Sequence, residues 1–319
     1  MSGILSLPGI RIGHHTDKES ITGCTVVLCE QGAVAGVDVS GSSPGTRETD
    51  LLRPGNLVEK VQAVVFSGGS AFGLDAATGV MRYLEEQGFG HETSAGKVPI
   101  VPAAIIYDLN IGNSKVRPGA SEGYEACLAA TDGEVAEGCV GAGTGAAVGK
   151  ILGIERATKS GLGIASQEIR DGIIVAALVV VNACGDVIDP GSGEIIAGAR
   201  QPSGGGFLST TEILKRGEFE KKALPFNTII GVVATNAQLS KEQANRLAQV
   251  ARSGIARTVN PCHTVYDGDV LFALSMGEKK GDLMTLGAVA AEVVSAAIFR
   301  GVLQAESMGG IPAAKDVRK

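Results

Sequence analysis

PFNTIIGVVA, residues 225–234, joins a polar stretch to an apolar one at a single peptide bond, Asn227-Thr228. Upstream, residues 201–227 (QPSGGGFLSTTEILKRGEFEKKALPFN) carry three adjacent glycines, a charged stretch and Pro225, the makeup of a surface loop. Downstream, IIGVVA at 229–234 is a β-branched run with no polar alternation, the pattern of a strand buried on both faces. The same pattern recurs in CTVVLC at 24–29, AVVFS at 63–67 and IIVAALVVVN at 173–182. A flexible loop thus feeds a core strand.

Helical patterns separate these runs. Leu74, Ala77, Met81 and Leu84 recur at three- and four-residue spacing within 71–87, and Ala244, Leu247, Val250 and Ala251 do so within 241–256. Gly88 and Gly254 stand where such helices end. A third helix is predicted over 286–301, where almost every position is Ala, Val or Leu, and a helix apolar all round is buried. Doubly buried strands between helices predict an α/β sandwich in which sheet stacks on sheet or helices lie outside. The order does not fit a simple βαβ repeat.

Composition narrows the function. With 319 residues, 44% hydrophobic and 19% charged, the chain can bury a sizeable core and is read as one domain. Aromatics make up 4%, Trp is absent and the net charge is −6, which argues against stacking on or attracting nucleic acid. The first residues, MSGILSLPGIRIGHH, lack a basic stretch followed by a long apolar run, and no uninterrupted apolar segment approaches ~18 residues, so a cytoplasmic protein without a membrane span is expected. Six cysteines without CxxC spacing are read as reduced, buried thiols. His14, His15, His91 and His263 show no HxxxH or HExxH spacing, so neither a metal nor another cofactor is expected.

Three motifs invite a function and fall short of it. GCVGAGTGAAVGK at 138–150 is followed by Ile151 where a phosphate loop needs Ser or Thr, and Ala146 replaces the last glycine of a dinucleotide fingerprint. Tight glycine packing is the better reading. GGSAFG at 68–73 resembles a nucleophile elbow, but Phe72 stands where its second glycine belongs, which leaves Ser70 as a helix N-cap or a substrate-loop residue. A Ser-His-Asp triad assembled in space stays open.

Thr228 has a chemical logic that depends on position. A threonine hydroxyl is a weak nucleophile unless a base is at hand, and a threonine that begins a chain carries its own α-amine, of pKa about 7.7–8.0, as that base. By residue type alone, a threonine entering a strand is an ordinary β-former.

Longer motifs decide between these readings. GIRIGHHTD at 9–17, PGTRETDLL at 44–52, SGGSAFGLDAATGV at 67–80, PAAIIYDL at 102–109, VGAGTGA at 140–146, KSGLG at 159–163 and NTIIGVVATNA at 227–237 occur in order nearly end to end. In these motifs the chain resembles peptidase family S58, which holds the DmpA-like aminopeptidases, the β-peptidyl aminopeptidases and the nylon-oligomer hydrolases. The resemblance implies a four-layer αββα sandwich of the DmpA and ornithine-acetyltransferase type, similar to N-terminal-nucleophile hydrolases but differently connected. It implies self-cleavage between Asn227 and Thr228 into chains 1–227 and 228–319, with Thr228 the nucleophile. It further implies that Asp267 and Asp269 hydrogen-bond the nucleophile, that Asn182 and Tyr107 stabilise the oxyanion, and that Lys159, with Lys150 as rival, polarises Asn182 or the hydroxyl. Strand alternation would point Asp267 and Asp269 to one face, whereas their residue types equally suit a Tyr-Asp-Gly-Asp turn. Implied substrates are small peptides or amino-acyl amides, and the implied assembly is a homotetramer of αβ units. Two other functions remain: an acyltransferase of the ornithine acetyltransferase type, whose Ala-Thr-Met-Leu context is not matched here, and an unprocessed small-molecule binder.

Overall fold

Residues 7–202, 204–219 and 227–317 are described by the computed structural model; residue 203 and residues 220–226 of the predicted loop lie outside them. Nine strands of one sheet organise the described chain: β1 Arg11–Asp17, β2 Thr22–Val39, β3 Thr46–Arg47, β4 Lys60–Ser67, β5 Ala103–Ile105, β6 Leu162–Ile169, β7 Ile173–Asn182, β8 Thr228–Ala237 and β9 Val270–Lys279. Their order is β6-β7-β8-β9-β2-β4-β5-β3, with β1 added on β2. Neighbours pair antiparallel except β8 with β9 and β4 with β5.

This sheet doubles back on itself through β2. Phe272 pairs with Val37 at one end of β2 and Phe66 with Thr25 near the other. Twelve extended residues would separate them by roughly 40 Å, yet the two rings lie 6.1 Å apart. The fold-back coincides with a register shift between Leu28 and Ala33. Two sheet halves therefore face each other across a core that includes Val27, Val64, Phe66, Leu178, Val180, Ile230, Val232 and Phe272.

Helices cover both outer faces. On one side α1 (Ala76–Glu86) and α2 (Ala120–Leu128) bury Val26, Leu28 and Val65. On the other, α4 (Lys241–Ala251), α5 (Ser253–Thr258) and α6 (Leu283–Leu303) bury Val175, Val179, Val233 and Leu271. The layering is αββα, as the resemblance implies. Gly163 of the KSGLG motif lets α6 approach β6 closely, since a Cβ there would sit 2.1 Å from the Ala297 carbonyl oxygen.

Several local expectations are corrected. The helix predicted from 71 begins at Ala76 after a 3-10 turn, Ser70–Asp75, and Ser70 makes no side-chain cap. The helix predicted over 241–256 breaks at Arg252 into α4 and α5. Helix α3, Thr210–Arg216, stands within the predicted loop, capped by the Ser209 side chain and by Gly217. Helix α6 is longer than predicted and buries one side only, leaving Met284 82% exposed. By length and composition α6 could cross a bilayer, but its other side, from Leu286 to Val302, packs on the sheet as a core helix does.

Candidate active site

Strands β7 and β8 pair so that Asn182, the last residue of one, lies opposite Thr228, the first of the other. Alternation places both on the face of Val180 and Ile230, toward the space between the sheet halves. Both side chains are buried. The predicted pair is therefore brought together by register alone.

The bond before Thr228 is gripped from the segment that leads into β9. Asn227 forms a parallel bridge with Asp267, and its N–H donates to the Tyr266 carbonyl at 3.2 Å. The Asn227 carbonyl oxygen accepts from the Gly268 N–H at 2.7 Å and from the Thr228 hydroxyl at 2.5 Å. A backbone donor thus already points at the oxygen that would carry charge if the hydroxyl attacked this carbonyl. Residue 268 has to be glycine: a Cβ would lie 2.5 Å from the Ser43 carbonyl oxygen and 2.9 Å from Thr228 Oγ1.

Asp267 and Asp269 do not sit on a strand, because β9 begins at Val270. They flank Gly268 in the turn before it, which corrects the alternation argument, yet both still meet the Asn227-Thr228 segment. Asp267 Oδ2 accepts from the Thr264 N–H at 2.6 Å. Asp269 Oδ1 accepts from the Ile229 N–H at 2.7 Å, and Oδ2 lies 2.8 Å from His263 Nδ1. Neither carboxylate bonds the Thr228 hydroxyl, which is turned to the carbonyl. Burial, reinforced by the charge of Asp269, pushes the Asp267 carboxyl up to about 6. Burial opposes charge on His263, but the hydrogen bond and charge of Asp269 outweigh it and hold the imidazole up at about 10.

The two lysines are distinguished by their partners. Lys150 Nζ donates to Asn182 Oδ1 at 2.8 Å and to the Asn182 carbonyl at 3.2 Å. Lys159 Nζ instead donates to the carbonyls of Ala146 and Ser160, each at 2.7 Å. The contact with Asn182 expected of Lys159 is thus made by Lys150, since Lys159 is held by carbonyls of the glycine-rich turn at 141–146 and of Ser160. Burial lowers both ammonium groups, Lys150 to about 7. The Asn182 amide, oriented by Lys150 at its oxygen, donates through Nδ2 to the Tyr107 carbonyl at 3.2 Å. The Tyr107 hydroxyl donates to Asn110 Oδ1 at 3.1 Å.

Ser70, the rival nucleophile, has φ +54 and donates its N–H to the Ile106 carbonyl. No cluster of three or more His, Cys, Asp or Glu able to hold a metal occurs among the described residues. Sequence reasoning missed the Gly268 amide, which as a backbone group leaves no signature, and His263, a lone histidine without telling spacing.

The defining pattern of Peptidase family S58 matches residues 3–315. The chain belongs to peptidase family S58. An uncharacterized aminopeptidase of Mycobacterium tuberculosis is 41% identical to it over 99% of this chain and 98% of that one. The 6-aminohexanoate-oligomer endohydrolase of Paenarthrobacter ureafaciens is 30% identical over 92% of this chain and 83% of its own length. In fold, this S58 peptidase is similar to the L-aminopeptidase D-Ala-esterase/amidase from Ochrobactrum anthropi, described as a new variant among the Ntn hydrolase fold, with a TM-score of 0.74, 21% identity and coverage of 97% and 88%. This S58 member is accordingly a hydrolase of amide bonds.

Proposed function

We propose that this amidohydrolase is made by cleavage of its own chain and that Thr228 serves both maturation and turnover. In maturation the Thr228 hydroxyl oxygen bonds to the Asn227 carbonyl carbon, and the C–N bond breaks as its nitrogen takes up the hydroxyl proton. The resulting ester is cleaved by water into chains 1–227 and 228–319 of one αββα domain. In turnover the freed α-amine takes the hydroxyl proton as Thr228 attacks a substrate amide and passes it to the substrate nitrogen as the C–N bond breaks; the product amine leaves, and water clears the acyl-enzyme. The Gly268 N–H and the Asn182 amide, held by Lys150, stabilise the oxyanion, and Asp267 and Asp269 hold the strand entrance.

One observation carries the reading: the Asn227 carbonyl oxygen is held at once by the Thr228 hydroxyl and the Gly268 N–H. The substrates proposed are small peptides or amino-acyl amides, supported by relatives named as an aminopeptidase and an oligomer endohydrolase. A cytoplasmic homotetramer of αβ units completes the proposal. Aminoacyl p-nitroanilides, β-amino-acyl amides and 6-aminohexanoate oligomers, screened with wild type and Thr228→Ala, test it. At least one class is hydrolysed by wild type, and Thr228→Ala loses about 10³-fold or more of that rate. Equal rates in the two proteins refute it.

A further inference from the structure

His263 takes no part in the chemistry described so far, yet it is held in an uncommon backbone conformation, φ +54, beside Asp269. Histidine, like Asn and Gly, tolerates that left-handed region better than bulky apolar residues do. Both its ring Nδ1, at 2.8 Å, and its backbone N–H, at 3.1 Å, meet Asp269 Oδ2. The other carboxylate oxygen accepts from the Ile229 N–H at 2.7 Å.

Backbone pairing between β8 and β9 starts only at Ile230 and Val270. At Ile229 the Asp269 carboxylate therefore supplies the acceptor that a neighbouring strand would otherwise give. A side chain in that role must be fixed in rotation, and the two contacts from His263 fix it. The amide so held adjoins Thr228, whose hydroxyl already touches the scissile carbonyl. A shift of about 1 Å there costs on the order of 100-fold in rate.

We propose that His263 is a positioning residue for the Thr228 nucleophile, acting through Asp269 and the Ile229 amide. The proposal rests on the reading of Thr228 as nucleophile. An open cavity of about 430 Å³ is lined by Ser40, Arg252, Ser253, Ala256 and His263. A small imidazole can therefore take the place of a deleted one.

The test follows self-cleavage of the full chain from the moment of cell-free synthesis, by intact mass, for wild type, His263→Gly and His263→Asn. Glycine suits φ +54 but removes the ring; asparagine suits it and keeps a donor near Nδ1. His263→Gly splits about 100-fold more slowly, added imidazole restores at least about tenfold of the loss in a saturable way, and His263→Asn stays within about tenfold of wild type. Melting temperatures confirm that the variants are folded. A folded His263→Gly that splits at the wild-type rate overturns the positioning role alone. A loss that neither imidazole nor asparagine repairs overturns it as well, by assigning the ring to packing. A wild-type chain that never splits overturns this inference together with the self-processing reading beneath it.

Discussion

Lys150 and Lys159 are both almost wholly buried, at 2% and 0% exposure, and both lack a carboxylate partner within ion-pair distance among the described residues. They are nonetheless different devices. Lys159 is enclosed by the main-chain carbonyls of Gly143 and Ala146 in the glycine-rich turn and of its neighbour Ser160, so its three protons are spent on holding backbone. Lys150 spends its donors on Asn182, on its carbonyl and on the side-chain oxygen opposite Thr228, with burial holding the amine at about 7. A buried charge is thus structural or functional according to whether its partners are backbone or a reactive side chain, not according to how deeply it lies.

Replacing each lysine by methionine separates the two roles. Lys150→Met leaves the Asn182 amide held, among the described residues, only by the Ala147 N–H at its oxygen and the Tyr107 carbonyl at its nitrogen, so self-cleavage and amide hydrolysis fall about 10²-fold, the scale for disturbing one oxyanion donor, with a smaller drop in melting temperature than Lys159→Met gives. Lys159→Met strands buried carbonyl oxygens and costs about 1–3 kcal/mol, seen as a drop of several degrees in melting temperature, while the cleavage rate of the folded protein stays within about tenfold of wild type. The reverse pattern would break the comparison and restore the assignment that the family motif alone suggests for Lys159.

A smaller effect is expected where the donor is backbone. Gly268→Ala forces a methyl against the Ser43 carbonyl and Thr228 Oγ1, displacing the N–H that holds the Asn227 carbonyl. Cleavage followed by intact mass slows about 10-fold to 100-fold. An unchanged rate would remove Gly268 from the oxyanion site.

The smallest effect is in pH. The carboxyl of Asp267, raised to about 6, and the amine of Lys150, lowered to about 7, lose their protons as pH rises, so by pH 7 the surroundings of the Asn227-Thr228 segment hold proton acceptors that they lack at pH 5. Self-cleavage therefore accelerates about tenfold between pH 5 and 7, and in Lys150→Met a single limb remains, moved upward because the Lys150 charge that lowers the Asp267 carboxyl is gone. A flat profile would detach both groups from the step.

Much of the architecture is legible in the sequence, because doubly buried strands such as β7 and β8 announce themselves as β-branched runs. The fold-back of β2 is not, since it depends on a register shift that no local pattern marks. At the site, the pairing of Asn182 with Thr228 follows from two strand ends that the sequence marks with polar residues. Asp267 and Asp269 were reachable by resemblance, but the alternation argument fails because the strand starts one residue later. Lys150 and Lys159 sit in equally glycine-rich surroundings, so only their partners in space tell them apart. Gly268 offers an N–H and a missing Cβ, and His263 meets Asp269 only through the folding of the turn between them, neither of which residue type discloses.

N-terminal sequencing with intact-mass measurement of the purified protein tests the central claim most directly. The account predicts two chains that travel together, one beginning at Thr228 and running to Lys319, the other ending at Asn227, and a single uncut chain for Thr228→Ala. A wild-type chain that remains whole at 319 residues after prolonged incubation at neutral pH, or a fragment that begins at any other residue, would contradict it.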